Sequence, residues 1–335
     1  MQIFAGTSGF SYAEWCGRFY PEALPAAQML RFYSERLPSV EINNTFYRMP
    51  NQDMVAAWRE QVPASFCFAI KASRRITHQK KLADVGADVA HLFDVIDVLG
   101  QTLGPVLFQL PPFLKKDLGL LGAFLADLPA GRRAALEFRH PSWFTDDVYT
   151  ALAGSNVALV GGDLEEAEKS PPLVATANFG YLRLRRLDYD TAGIAEWGTR
   201  IGAQSWQSAF VYLKHEVLGP LFAEQLLAHL AGKEMPDLSA IRASIAAPSH
   251  KPKSARGAAS KSKKPEPPAS KAPVSRPSKA PAPRSSKTPA ISTPKTPAAT
   301  ASKAPAPRSS KTPAPHSSKT PAPRSSKAPA KSDKP

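Results

Sequence analysis

The chain has 335 residues, 43% of them hydrophobic, and a formal net charge of +15 that is unevenly spread. Residues 251–335 carry 20 Lys and Arg against two acids, Glu266 and Asp333, a net of +18, whereas residues 1–250 hold 23 basic and 26 acidic side chains. With only two cysteines and no apolar run near the ~18 residues of a membrane span, the composition argues against both a disulfide scaffold and a membrane-spanning chain. Met1-Gln-Ile-Phe lacks the basic start and long apolar core of a signal peptide, and Cys16 and Cys67 have no zinc spacing, so a reducing cytoplasm is the expected compartment.

Eight short apolar runs follow one another, and each stops at polar or charged residues. They are Ile3–Gly9, Val40–Thr45, Phe66–Ala72, Pro105–Leu110, Ala134–Arg139, Val157–Asp163, Tyr181–Arg186 and Phe210–Glu216. Stretches of helical length separate them, which predicts parallel strands joined by crossover helices. Helical periodicity is readable over Ala26–Leu37, Asp84–Leu99, Asp117–Leu128 and Pro220–Leu230. Glu165–Pro171 is short, acidic and closed by prolines, so the sixth helix is expected to be abbreviated or missing. Eight such units close into a (β/α)₈ TIM-type barrel over residues 1–232, with 233–250 as linker and 251–335 as tail. In that architecture chemistry sits at the carboxyl ends of the strands.

Residues two apart on a strand share a face. Glu41/Asn43, Glu137/Arg139, Arg183/Arg185 and Lys214/Glu216 are such pairs. Outward placement would set charge against the helix shell, whereas inward placement at the barrel mouth lets opposite charges pair and water enter. A mixed-charge cavity is therefore expected, with an ion-pair network that only closes the core as the other reading. Gly6-Thr-Ser-Gly9 precedes Phe10, Tyr12, Trp15, Phe19 and Tyr20. Two readings of this loop stand side by side: an anion cradle with rings for stacking, or a tight turn beneath an aromatic plug. Pro111-Pro112 stiffens the turn after Gln109 and is a candidate cis peptide, and Gly161-Gly162 permits close approach beside Asp163. His78, His140 and His215 lie at or just past strand ends, but no His-x-Glu-x-x-His-type spacing supports a metal, and none is assigned. P-loop, Gly-x-Gly-x-x-Gly, Gly-x-Ser-x-Gly and Cys-x-x-Cys patterns are missing, and no cofactor is identified.

Five motifs together carry a family resemblance. They are Gly6-Thr-Ser-Gly-Phe-Ser-Tyr-x-x-Trp15-x-Gly-x-Phe-Tyr-Pro21, Val40-Glu-Ile-Asn-Asn-Thr-Phe-Tyr-Arg48, Phe68-Ala-Ile-Lys71 with Ile76-Thr-His78, Gly104-Pro-Val-Leu-Phe-Gln-Leu-Pro-Pro112, and Glu137-Phe-Arg-His-Pro-Ser-Trp143. Over roughly residues 1–230 the chain resembles the YecE-like family, a domain of unknown function. The resemblance implies a TIM-type barrel, brings no established reaction, and singles out Glu41, Asn43, Lys71, His78, Gln109, Glu137, Arg139 and Asp163. The second half departs from that pattern. Arg183-Leu-Arg-Arg186 stands where such proteins tend to carry Arg-Leu-His-Gly, and Val211-Tyr-Leu-Lys-His-Glu216 replaces an amide-rich eighth strand. Both changes add cations to the cavity.

The candidate catalytic set is Glu41, Asn43, Lys71, Glu137 and Asp163, and the candidate ligand-binding set is Trp15, His78, Gln109, Arg139 and Arg183. Lys71, Arg139 and Arg183 would hold an anion, with Glu41 or Glu137 as general base of a hydrolase or phosphodiesterase-like reaction on a phosphate-bearing or nucleic-acid substrate. A non-catalytic barrel and a protein-interaction scaffold are the alternatives. The tail has no Phe, Trp or Tyr and holds 19 of the 34 prolines, so it is expected to be disordered. Its charge favours non-sequence-specific binding to nucleic acid, DNA first. An acidic membrane surface is the weaker partner, because the tail lacks an apolar anchor.

Overall fold

The computed structural model describes residues 1–246; the tail expected over 251–335 lies outside the described residues. Eight parallel strands close on themselves in chain order: β1 Gln2–Ser8, β2 Ser39–Ile42, β3 Cys67–Lys71, β4 Leu103–Gln109, β5 Ala134–Glu137, β6 Ala158–Asp163, β7 Phe179–Leu184 and β8 Ser208–Leu213. Pairing of β8 with β1, from Gln2 opposite Ser208 to Thr7 opposite Leu213, completes the barrel. The apolar runs thus mark the eight strands, and the ladders end before the charged residues that close several runs. Those residues, Arg139, Arg185, Lys214 and Glu216 among them, begin the loops at the mouth.

The crossovers carry α1 Met29–Arg36, α2 Gln52–Arg59, α3 Gly86–Ile96, α4 Leu118–Asp127, α5 Asp146–Gly154 and α6 Thr191–Gly202, with α7 Gly219–Leu230 after β8. Helix α2, not assigned from the sequence, is only eight residues long and faces the core with Val55 and the half-buried Trp58, whose ring stacks on Phe68. Asn51, Asp117 and Asp190 cap α2, α4 and α6 by accepting from backbone N–H groups of the first turn. Between β6 and β7 there is no α-helix, only the single 3₁₀ turn Ala167–Lys169, as the acidic, proline-closed segment predicts. The segment read as linker from 233 is in part structured. Leu238 is buried, Pro236 accepts from the Gln225 side chain at 2.7 Å, and α8 Ser239–Ala246 lays Arg242 over the Phe222 ring.

Two apolar clusters hold the domain together. The larger lies between sheet and helices. The smaller fills the barrel, with Phe4, Phe179, Tyr181, Phe210 and Tyr212 from β1, β7 and β8 facing Ala69, Ala135 and Ala158 from β3, β5 and β6. Large rings from one side packed against alanines from the other leave no lumen. Phe4 and Phe210 stack with centroids 4.9 Å apart. The interior is therefore a plug of side chains, with the Ser39 and Tyr212 hydroxyls paired at 2.8 Å within it and the charged groups gathered at its upper end. Among the described residues no helix is long and apolar enough to cross a membrane.

Candidate functional site

Strand parity carries the inner face of β2, β5 and β7 upward from Ser39, Ala135 and Tyr181 to Glu41, Glu137 and Arg183. Arg183 is 6% exposed and bridges the two acids: Nη2 lies 2.8 Å from Glu41 Oε1, and Nη1 lies 2.7 Å from Glu137 Oε2. Glycine makes the close approach of β7 tolerable. Gly162 has φ +140°, and a Cβ there would stand 2.1 Å from the Arg183 carbonyl oxygen.

Both carboxylates have their acceptor capacity filled. Glu41 accepts from Ser8 Oγ at 2.7 Å, Asn43 Nδ2 at 2.9 Å, Tyr181 Oη at 2.8 Å and Arg183. Glu137 accepts from Gln109 Nε2 at 2.7 Å, Arg139 Nε at 3.2 Å, Arg185 Nη2 at 2.8 Å and Arg183. Burial would push either carboxyl up. The arginines, Arg183 foremost, together with hydrogen-bond donors, outweigh it and hold both below the usual carboxylate range. A carboxylate with four donors and a depressed pKa is a poor general base, so the base role expected of Glu41 or Glu137 does not fit this geometry. Ser8 and Tyr181 belong to the same constellation. Tyr181 was findable, since it lies two residues before Arg183 on the same face.

Lys71, at the end of β3, donates to Gln109 Oε1 at 2.9 Å and lies 4.3 Å from the centre of the Phe46 ring. Burial and then the neighbouring Arg183 charge lower its pKa to about 8, against the pull of Glu41 and Glu137. Around the opening, Arg139 and Lys214 are exposed and Arg185 is half-buried, with Tyr12, Glu165 and Glu216 completing the rim. The mouth cavity they enclose has a volume of about 620 Å³.

Three assigned residues sit elsewhere. Trp15 is 2% exposed, and its indole donates to the Glu216 carbonyl from within a cluster with Phe19 and Tyr20, so it is plug rather than stacking platform. Thr7 N–H donates to Tyr33 Oη and Gly9 N–H to the Glu41 carbonyl. These bonds leave neither amide for an anion, which decides between the two readings of that loop. Asp163 points out of the barrel. It accepts from Tyr189 Oη, from Trp197 Nε1 at 2.9 Å and from the Arg185 backbone N–H at 2.8 Å, anchoring β7 rather than facing the mouth. His78 stands behind Phe46, with ring centres 4.9 Å apart, and does not line the mouth cavity. Its pKa is lowered by burial and by the charges of Lys71, Arg74 and Arg139. The turn after Gln109 contains no cis peptide. Among the described residues no group of three or more His, Cys, Asp or Glu is placed to hold a metal ion.

Comparisons with known proteins bear on the family and the fold. The chain is 33% identical to the UPF0759 protein YecE of Escherichia coli K12 over 116 residues, 34% of this chain and 43% of that relative. It is 27% identical to the UPF0759 protein YunF of Bacillus subtilis 168 over 159 residues, 44% of this chain and 54% of that relative. The chain thus spans about half the length of the curated relatives it matches. A crystal structure of a DUF72 family protein from Thermotoga maritima MSB8 superposes with a TM-score of 0.60 at 23% identity, covering 69% of this chain and all of that one. One from Enterococcus faecalis V583 gives 0.59 at 19% identity, covering 69% and 96%. These two likenesses concern the fold. The model of the family described as "Protein of unknown function DUF72" matches residues 4–244, most of the chain, and the chain belongs to that family.

Proposed function

We propose that the barrel mouth binds a small anionic substrate bearing phosphate or carboxylate, and that Lys71 is the group that moves a proton there. One observation carries this reading: Lys71, Arg139, Arg185 and Lys214 surround a single opening above two carboxylates whose acceptors are already taken. Glu41 and Glu137 fix the guanidinium groups in place, and preorganised donors of this kind stabilise charge without reorganising. If the chemistry is hydrolytic, Lys71 suits a general acid, because a pKa of about 8 leaves it protonated yet able to release its proton near neutrality. The tail adds a second proposal. Its net charge of +18 supports polyanion binding by counterion release, which would tether the barrel to DNA.

The test is calorimetric titration with inorganic phosphate of the wild type, Arg139→Gln and Lys71→Met. Each substitution is expected to weaken binding about tenfold, the worth of one charge-assisted contact of about 1.4 kcal/mol. Equal affinity in all three proteins would remove the mouth as the anion site.

A further inference from the structure

A second cavity of about 490 Å³ opens beside the mouth and shares Arg139, Leu164, Arg183 and Arg185 with it. Its far wall is apolar: Pro112 follows β4, Phe138, Pro141 and Phe144 follow β5, and Leu164 and Pro171 come from the helix-free crossover. A single wall of arginine facing proline and phenylalanine is an amphiphilic enclosure. The arginines have spare donor capacity. Arg183 and Arg185 spend Nη groups on Glu41 and Glu137, but the Nε–H of each is buried with no acceptor among the described residues. A buried donor without a partner costs stability unless a ligand atom or water takes it. Of the three acids lining the chamber, Glu137 and Asp163 are engaged by donors, while Glu168 is exposed to solvent beside Lys169, a cation that also lines the chamber.

We infer that the ligand of this site is a phosphomonoester with a flat aromatic or heteroaromatic body. Its charged group sits among Arg139, Arg183 and Arg185, and its ring enters the side chamber. This inference rests on the anion-site reading above and narrows it. The chamber lies within the size range of pockets that enclose small ligands. Guanidinium planes and proline and phenylalanine faces suit a planar ring better than a flexible chain, since a ring loses little conformational freedom on enclosure. No covalent step is implied.

The experiment compares inorganic phosphate, phenyl phosphate and adenosine monophosphate by calorimetry on the full chain, with Phe144→Ala and Pro112→Ala as chamber variants whose melting is recorded first. Phenyl phosphate is expected to bind at least about tenfold tighter than inorganic phosphate, about 1.4 kcal/mol, and adenosine monophosphate at least as tightly as phenyl phosphate. Phe144→Ala should erase most of that gain while leaving the inorganic phosphate affinity in place, and Pro112→Ala should reduce it. Inorganic phosphate that binds with no added gain from a ring overturns this inference alone. A gain that survives both variants also overturns it, because the ring would then lie elsewhere. Failure of inorganic phosphate to bind at all overturns the anion site first, and this inference with it.

Discussion

Arg183 and Glu41 face each other across the barrel from β7 to β2, with Nη2 and Oε1 2.8 Å apart and side-chain exposures of 6% and 0%. Both charges are almost wholly withdrawn from bulk water, so each depends on the other. Removing one partner of such a pair exacts the full desolvation cost of the survivor. Arg183→Met is therefore expected to lower unfolding stability by about 3–5 kcal/mol in a urea titration. Adding Glu41→Gln and Glu137→Gln to that variant should recover most of the loss, since no carboxylate then remains unpaired. A cost below about 1 kcal/mol would mean that water reaches the acids and that the pair is a surface one.

The pair was half legible in the sequence. The strands could be read because apolar runs stop at charge, and parity alone brought Glu41, Glu137 and Arg183 to one rim. Parity does not say which charges saturate which, and the four donors on each carboxylate emerge only when the sheet closes. Asp163 is the exception on that rim. Ala158 and Val160 face the barrel interior, so alternation puts Asp163 on the outer face with Leu159, and the side-chain-free Gly161 and Gly162 obscure that alternation. Trp15 was ambiguous for another reason. An aromatic residue in a loop reads the same whether it caps a cavity or fills a core, and the difference lies in the loop after β8, 201 residues away, where the Glu216 carbonyl accepts from its indole.

Lys71 supplies a pH dependence whose sign can be worked out. Its folded pKa is lowered from 10.5 to about 8, so it loses its charge across that point as pH rises. An anion held by the ammonium should therefore bind with constant affinity below about pH 7 and progressively more weakly above pH 8, by up to tenfold per pH unit. Sulfate is the suitable probe because it does not titrate in this range. Lys71→Met should bind more weakly at pH 7 and show no inflection near pH 8. A wild-type profile flat from pH 7 to pH 9 would show that Lys71 does not touch the anion.

Asp163 offers a contrast between holding the site and acting in it. Its carboxylate gathers Tyr189, Trp197 and the Arg185 amide, so Asp163→Asn replaces one acceptor oxygen by a donor facing other donors. The expected result is a stability loss of about 1–3 kcal/mol. Sulfate affinity at pH 7 should stay within about twofold of wild type. Unchanged melting with abolished anion binding would instead put Asp163 among the groups that contact ligand.

The tail can be separated from the barrel by truncation, because residues 1–250 carry a small net negative charge and the whole excess of positive charge lies beyond them. Binding to a random-sequence DNA duplex should weaken steeply with salt in the full chain, log K falling by about 0.9 per phosphate neutralised for each unit of log salt. Deleting 251–335 should abolish most of that affinity and leave the melting temperature unchanged, since among the described residues both apolar clusters are built from residues 3–241. The cationic mouth gives this comparison a second use. If the truncated protein still binds DNA at low salt, and Arg139→Gln removes the residual binding, the nucleic acid is reaching the barrel opening itself. The polyanion and the small anion would then compete for one site, and inorganic phosphate should displace the duplex from the truncated protein but not from the tail of the intact one.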